Sequence, residues 1–378
     1  MIKVLQFPVA NSKGGITRYV LQNWRFIDRD CFRFDFATMS KQLDFEDQLI
    51  KDGCKVFHIS SYAEDNSETF TKEFREILAN EQYDIIHIHT KQWKSFLVEQ
   101  LAKEAGIKKI IVHAHSTGID VLDEQKRLME VELHNKRKAE LNEDIATDYW
   151  ACSMKAAEFI YGDMIPKEKI RIMNNAIDLD KFRYAETTRR ECRRELGIKD
   201  KDYVVGNVGR FVYPKNQSFL LCVFKELCKQ DDSFKLLLVG SGEREEEYRK
   251  YVRENNLEEN VIFTGYRTDV SRLMQAMDVF CLPSHFEGLG IVLIEAQALG
   301  LQCITSDCII EEALVTNIIN RISLKSELEW VLQIEKCRKR ILKNRKVYNR
   351  IVKEKGYDLR EQIKYIELLY KNGTINYL

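Results

Sequence analysis

The chain has 378 residues, with 59 Lys+Arg against 59 Asp+Glu, so its formal net charge is zero. That length suits two domains of about 100–200 residues, and 44% hydrophobic with 31% charged residues excludes a disordered chain. Only 17 Gly and 4 Pro exclude fibrous and Pro-rich architectures, and the charge balance gives nucleic-acid binding no support.

Short runs rich in Val, Ile and Phe recur along the first half, with amphipathic stretches between them. They predict strands at 2–7, 33–38, 54–59, 84–89, 109–113, 147–151 and 169–173. Helices are predicted near 15–27, 41–52, 70–80, 91–105, 120–143 and 153–161. Runs apolar on both faces, such as Asp84-Ile85-Ile86-His87-Ile88-His89, suit a parallel sheet covered by helices. The first strand stops at Pro8, too soon for a signal peptide. Asn11-Ser12-Lys13-Gly14-Gly15 then leads into a helix. Its paired glycines let a substrate approach the backbone and helix amides, or simply make a tight turn. His87/His89 and His113/His115 form two i, i+2 pairs near strand ends. No third or fourth ligand is spaced to join either pair, so a single histidine donating to a substrate hydroxyl is favoured over zinc.

Around 174–200 the regularity lapses into polar, charged sequence, which reads as a linker. The alternation then restarts, with strands at 203–208, 234–239, 260–263, 278–282 and 301–305. Helices are predicted at 216–230, 243–256, 268–276 and 290–299. Two doubly wound α/β domains in series follow, and such domains bind ligands at the carboxyl ends of their strands. Arg210 at one strand end and Lys215 in the Pro214 loop suit a diphosphate clamp, or are solvated surface charges. Val239-Gly240-Ser241-Gly242-Glu243 is set aside as a dinucleotide motif, because Glu245 stands where the third glycine belongs. Asp28-Arg29-Asp30 and Asp178-Leu179-Asp180 are set aside as chance matches to a metal-binding pattern.

The sharpest stretch runs from Pro283 to Glu295, where Glu287 and Glu295 flank Gly288, Leu289 and Gly290. A helix starting near Gly290 would turn free amides toward a phosphate. Glu295, inside an apolar helix turn, needs a partner, either a ligand hydroxyl or an internal cation. Beyond 326 the pattern is helical, with Trp330, Ile334, Cys337, Ile341, Tyr348 and Val352 on one face. Leu359, Ile363, Ile366 and Tyr370 form a second stripe. Lys336 to Lys355 holds ten Lys/Arg and one acid, suiting either an anionic lipid surface or a solvated helix face. Ten scattered Cys with no C-x-x-C read as buried thiols of a cytoplasmic protein, with peripheral attachment at the inner membrane face left open.

Taken in order, these residues resemble the large retaining glycosyltransferase family 4 of the GT-B fold. The resemblance covers most of the chain: the Gly14-Gly15 turn, Asp84 to His89, Val112 to His115, Asn175 to Asp178, Gly209-Arg210 with Lys215-Asn216, Val239 to Glu243, Phe263-Thr264-Gly265, and Pro283 to Asp307. The Glu-x7-Glu spacing of Glu287 and Glu295, followed by Ala296-Gln297-Ala298-Leu299-Gly300, carries most of it. Ala176 departs from the family's usual Gly, and Cys308-Ile309-Ile310 is atypical.

The resemblance implies two Rossmann-like doubly wound domains facing across a cleft. The first, 1–180, would be acceptor-side, with a C-terminal helix at 356–378 packing back on it. The second, 181–355, would bind a nucleotide sugar. Arg210 and Lys215 would hold the diphosphate and Glu295 the ribose, while Glu287 and the Gly288, Leu289 and Gly290 amides would lie by the transferred sugar. Gly14 and Gly15 would approach the diphosphate, and His115, or else His113, the donor sugar. The implied reaction is hexose transfer, with retention and without a metal, from a UDP-sugar to a glycan or polyprenyl-diphosphate-linked acceptor in polysaccharide or capsule assembly. A nucleotide-sugar epimerase and a non-catalytic nucleotide-sugar-binding protein are the alternatives.

Overall fold

The computed structural model describes all residues except 12–14, 120, 122, 288, 341, 343 and 373–378. The chain forms two compact units, one from Met1–Asn175 with the segment that starts at Leu359, the other from Ala176–Asp358.

The first unit is a parallel sheet of β1 (Ile2–Phe7), β2 (Phe32–Thr38), β3 (Val56–His58), β4 (Ile85–Thr90), β5 (Lys109–Ala114), β6 (Asp148–Ala151) and β7 (Ile170–Ile172). Their order is β3-β2-β1-β4-β5-β6-β7, so the direction of winding reverses between β1 and β4. β4 and β5 are buried at every position, as runs apolar on both faces require. Helices cover the sheet. In Ser67–Asn80, Asn66 caps the N-terminus by accepting from the Thr69 amide at 3.0 Å, worth about 1 kcal/mol. Phe70 and Phe74 of that helix stack at 5.3 Å and meet Phe7 edge-on, each burial contributing about 2 kcal/mol. The last helix, Leu359–Lys371, seals this unit. Its Tyr370 packs among Phe32, Phe34 and Trp150, and Lys109 Nζ donates to the Leu369 and Asn372 carbonyls.

The second unit repeats the plan with β8 (Tyr203–Val208), β9 (Phe234–Val239), β10 (Val261–Phe263), β11 (Val279–Leu282), β12 (Gln302–Ser306) and β13 (Ile319–Ile322). The order β10-β9-β8-β11-β12-β13 is again parallel and reverses between β8 and β11. Ligands of such sheets bind beyond the carboxyl ends of the strands at that reversal.

Three readings of the sequence are corrected. The first unit ends at Asn175 rather than at residue 180, because Ile177 pairs with Asp358 while Leu179 and Phe182 enter the second unit's core. The stretch read as a linker contains the helix Glu186–Glu195. The stripe beyond 326 is not one helix but Glu327–Lys339 and Val347–Val352, Ile341 lying outside the described residues. The basic run is partly consumed within the unit. Arg338 pairs with Asp231 at 2.9 Å over the Phe234 ring, and Arg345 lies over Tyr184 and donates to the Leu299 carbonyl. None of the ten cysteines is in a disulfide, and six are buried. No described helix is long and apolar enough to cross a membrane.

Candidate active site

In the second unit the loops after β8 and β11 converge. After β8 comes exposed Arg210, then a 3₁₀ turn, Tyr213–Lys215, with Pro214 in its first positions. Asn216 follows at φ 52°, a left-handed conformation that asparagine tolerates. A buried network fixes this loop. Gln217 Nε2 donates to the Arg210 carbonyl at 3.0 Å and to Asn207 Oδ1 at 3.3 Å, while Asn207 Nδ2 donates to the Cys281 carbonyl of β11 at 2.8 Å. The loop after β11 docks beside it through the His285 amide, which donates to the Pro214 carbonyl at 2.8 Å, and through stacking of Tyr213 on His285 at 4.7 Å.

This docking brings Lys215 Nζ to 2.6 and 2.7 Å from the two oxygens of Glu287. The pair is largely covered, with side chains 22% and 9% exposed. Ser284 Oγ donates to Glu287 Oε1 at 2.7 Å, and Ser306 Oγ holds the Ser284 carbonyl at 2.5 Å, so the carboxylate is fixed from two sides. Gly290, at φ 72°, starts the helix Ile291–Ala298. A Cβ there would touch the Glu287 stem at 3.7 Å. Leu289 is buried, and Glu295 in the same helix is fully buried. An ammonium held by a carboxylate, an exposed guanidinium and a helix N-terminus thus share the reversal point, an arrangement that suits a phosphorylated ligand.

In the first unit the two histidine pairs meet, because β4 and β5 are neighbours with His89 opposite His113. His87 Nε2 lies 3.2 Å from His113 Nδ1, and His89 Nδ1 lies 3.0 Å from His115 Nε2. Sequence spacing along one strand does not reveal this, so the view that no further ligand joins either pair is corrected. Ligand atoms of His87, His89 and His113 lie within 4.8 Å of one another. His87 Nδ1 lies 2.7 Å from the Tyr370 oxygen and His89 Nε2 lies 2.8 Å from Gln6 Oε1, whereas His113 Nε2 is buried without a hydrogen bond. His115 stands just past β5, half-buried, whereas His113 is fully buried within it.

Burial pushes all four imidazoles below their ordinary value, His89 to about 3. A base whose folded pKa is depressed stabilises the fold fully above the unfolded value near 6.5, and that stability is lost as pH falls through the folded value. Each ring then removes about 1.4 kcal/mol per pH unit below 6.5. Hydrogen exchange in β4 and β5, corrected for intrinsic rates, should show weaker protection at pH 5.5 than at pH 7.5. Equal protection would contradict the neutral cluster.

Arg210, Lys215, Glu287, Leu289, Gly290 and Glu295 therefore belong to one unit, and Gly15 and His115 to the other. Gly14 and Gly288 lie outside the described residues. Sequence reasoning missed Ser284, three positions before Glu287, and the Asn207–Gln217 network. It named Gly240 and Gly242 without their reason, since a Cβ there would strike the Gly209 and Phe211 carbonyl oxygens at 2.0 and 2.4 Å.

Two family descriptions match the chain: Glycosyltransferase Family 4 over residues 13–181, and Glycosyl transferases group 1 over residues 188–358. A Bacillus subtilis (strain 168) protein, EpsF, whose name ranks it provisionally among glycosyltransferases, is 28% identical over 377 residues, 98% of this chain and 97% of its own. An Escherichia coli UDP-Gal:α-D-GlcNAc-diphosphoundecaprenol α-1,3-galactosyltransferase is 23% identical over 391 residues, 99% and 98% of the two chains. Among solved structures, HepE of Anabaena in complex with UDP and glucose matches with TM-score 0.75 at 19% identity, over 97% of this chain and 98% of its own. A glycosyltransferase of Rickettsia africae ESF-5 matches with TM-score 0.79 at 16% identity, over 98% of both chains.

Proposed function

Because the chain belongs to glycosyltransferase family 4, with two Rossmann-like domains of the GT-B kind, we propose that it transfers a hexose from a UDP-sugar to a glycan or polyprenyl-diphosphate-linked acceptor, with retention. The observation that carries this reading is the Lys215–Glu287 pair beside Arg210 at the β8/β11 reversal. The E. coli relative's UDP-galactose donor and the UDP bound to HepE support the uridine nucleotide.

In this reading the donor's diphosphate takes the charge of Lys215 and Arg210, and the helix after Gly290 adds its amide dipoles. Glu287, held by Lys215 and Ser284, faces the sugar, and Glu295 accepts from the ribose hydroxyls. The bond from the anomeric carbon to the β-phosphate oxygen breaks as the acceptor oxygen bonds on the same face. The acceptor's proton passes to the leaving phosphate, so neither a metal nor a carboxylate base is needed. Lys336, Lys339, Arg340, Lys346 and Arg350 remain exposed, which suits contact with an anionic inner-membrane face and a lipid-linked acceptor. Polysaccharide or capsule assembly is the matching context.

Thermal shifts with UDP-, GDP- and ADP-sugars test the donor, since a ligand binding only the folded chain raises its melting temperature. A UDP-sugar should give the largest shift. Glu295→Gln should weaken UDP binding about tenfold or more, through loss of a charge-assisted hydrogen bond. Equal shifts for all three nucleotides, or undiminished binding by the variant, would refute the assignment. Isomerisation of the donor without acceptor would instead identify an epimerase.

A further inference from the structure

The helix Ile291–Ala298 carries only two polar side chains, Glu295 and Gln297, and both are fully buried. Its other positions are Ile, Val, Leu and Ala. Apolar packing tolerates rearrangement and so fixes the rotation of such a helix loosely, whereas directed hydrogen bonds in a dry interior fix it sharply. We propose that Gln297 sets this rotation and thereby aims Glu295 at the ribose of the bound nucleotide. The proposal rests on the reading of Glu295 as the acceptor for the ribose hydroxyls.

The Gln297 amide offers two hydrogens and two lone pairs, and all four are used. Nε2 donates to the Leu293 carbonyl, one turn back, at 3.1 Å and to the Ala313 carbonyl at 2.7 Å. Oε1 accepts from the backbone amide and the hydroxyl of Thr316, each at 2.9 Å. Ala313 and Thr316 lie in the connection between β12 and β13, which is itself anchored. Ile309 and Ile310 are buried there, and Tyr357 Oη donates to the Glu312 carbonyl at 2.7 Å. That connection leaves β12 at Ser306, whose Oγ holds the Ser284 carbonyl, and Ser284 in turn holds Glu287. One loop is thus tied at its start to Glu287 and at its end to the helix of Glu295.

At 3.6 residues per turn, Glu295 lies about 200° round the helix from Gln297. A rotation released at Gln297 therefore swings the Glu295 carboxylate through the same angle. An apolar side chain of equal size would fill the space of Gln297 without specifying that angle. Gln297 acts through Glu295 and is a positioning residue.

The test compares the full chain with Gln297→Met, which keeps length and volume but removes the four hydrogen bonds, with Glu295→Gln, and with the double variant. Gln297→Met should raise both the Kd for UDP and the KM for the UDP-sugar that binds best about tenfold, with kcat nearly unchanged, because the ribose contact is made equally in ground and transition states. Loss of folded protein alone would lower the apparent kcat and leave Kd and KM where they were. On the Glu295→Gln background, Gln297→Met should weaken UDP binding less than about twofold further, as expected for residues that act through one another. Thr316→Val keeps the backbone donor and removes only the hydroxyl, so it should fold even where Gln297→Met does not. It should raise the UDP Kd about threefold and be equally non-additive with Glu295→Gln. Unchanged UDP affinity in Gln297→Met and Thr316→Val, or full additivity with Glu295→Gln, would overturn the proposal and leave Glu295 in the site. Unchanged affinity in Glu295→Gln itself would remove the ribose reading, and the proposal with it.

Discussion

Lys215→Ala is expected to lower transfer from the nucleotide sugar by about 10²–10³-fold, the loss typical when one fixed donor to a developing anion is removed. The charge that builds on the leaving diphosphate loses its point cation, and Arg210 alone cannot replace a group seated 2.6 Å from Glu287. The effect should fall on kcat more than on KM, because the interaction strengthens as the phosphate departs. Glu287, only 9% exposed, is left with a carboxylate short of its ammonium, so stability should drop by about 2 kcal/mol, discounted because Lys215 is partly solvated. Glu287→Gln separates the two effects, since it keeps a polar side chain beside Lys215 and removes the charge near the sugar. Full transfer activity in both variants would refute the site assignment. The readout is UDP release with acceptor, alongside urea unfolding of the same preparations.

Gly240→Ala is expected to destabilise the second unit by about 4 kcal/mol, a large part of a domain's usual 5–15 kcal/mol. Gly240 sits at φ 145°, and an added Cβ would lie 2.0 Å from the Gly209 carbonyl oxygen. Backbone meets backbone there, so no side chain can swing aside. Gly209 precedes Arg210, and the neighbouring Phe211 amide donates to the Ser241 carbonyl at 3.0 Å, so the loop that presents Arg210 is built against this glycine. Gly265 is the control. It pairs with Gly240 and also has positive φ, but nothing lies within 4 Å of its would-be Cβ, so Gly265→Ala should cost only about 1 kcal/mol. Urea midpoints for the two variants measure the difference, and equal midpoints would contradict the close approach.

Most strands were legible because parallel sheets covered on both faces need continuous apolar runs, and β4 and β9 carry them plainly. β13 was not, since Ile319–Ile322 carries Asn320 and Arg321 on an edge strand with one neighbour. The helix Glu186–Glu195 escaped notice for a related reason. Its buried face is Cys192 and Arg193, and the Arg193 guanidinium is satisfied by the Ala276, Lys199 and Asp202 carbonyls. A charged anchor of that kind reads as solvent-facing. Arg210, Lys215, Glu287 and Glu295 could be chosen from sequence as cations and carboxylates near strand ends, but the direct Lys215–Glu287 pairing depends on how two loops dock. The histidine network depends on the β4–β5 register and on a tyrosine 283 positions away from His87, which no local pattern encodes. Gly240 and Gly242 were weighed as a broken dinucleotide motif and as part of the family resemblance, when their reason is close backbone packing on Gly209 and Phe211.

A crystal structure of the chain soaked with UDP decides whether the second unit holds a nucleotide diphosphate where β8 and β11 part. Diphosphate oxygens are expected within hydrogen-bond reach of the Arg210 and Lys215 side chains, with ribose hydroxyls on Glu295. UDP seated elsewhere, with Lys215 still closed on Glu287 and Glu295 untouched, would contradict it.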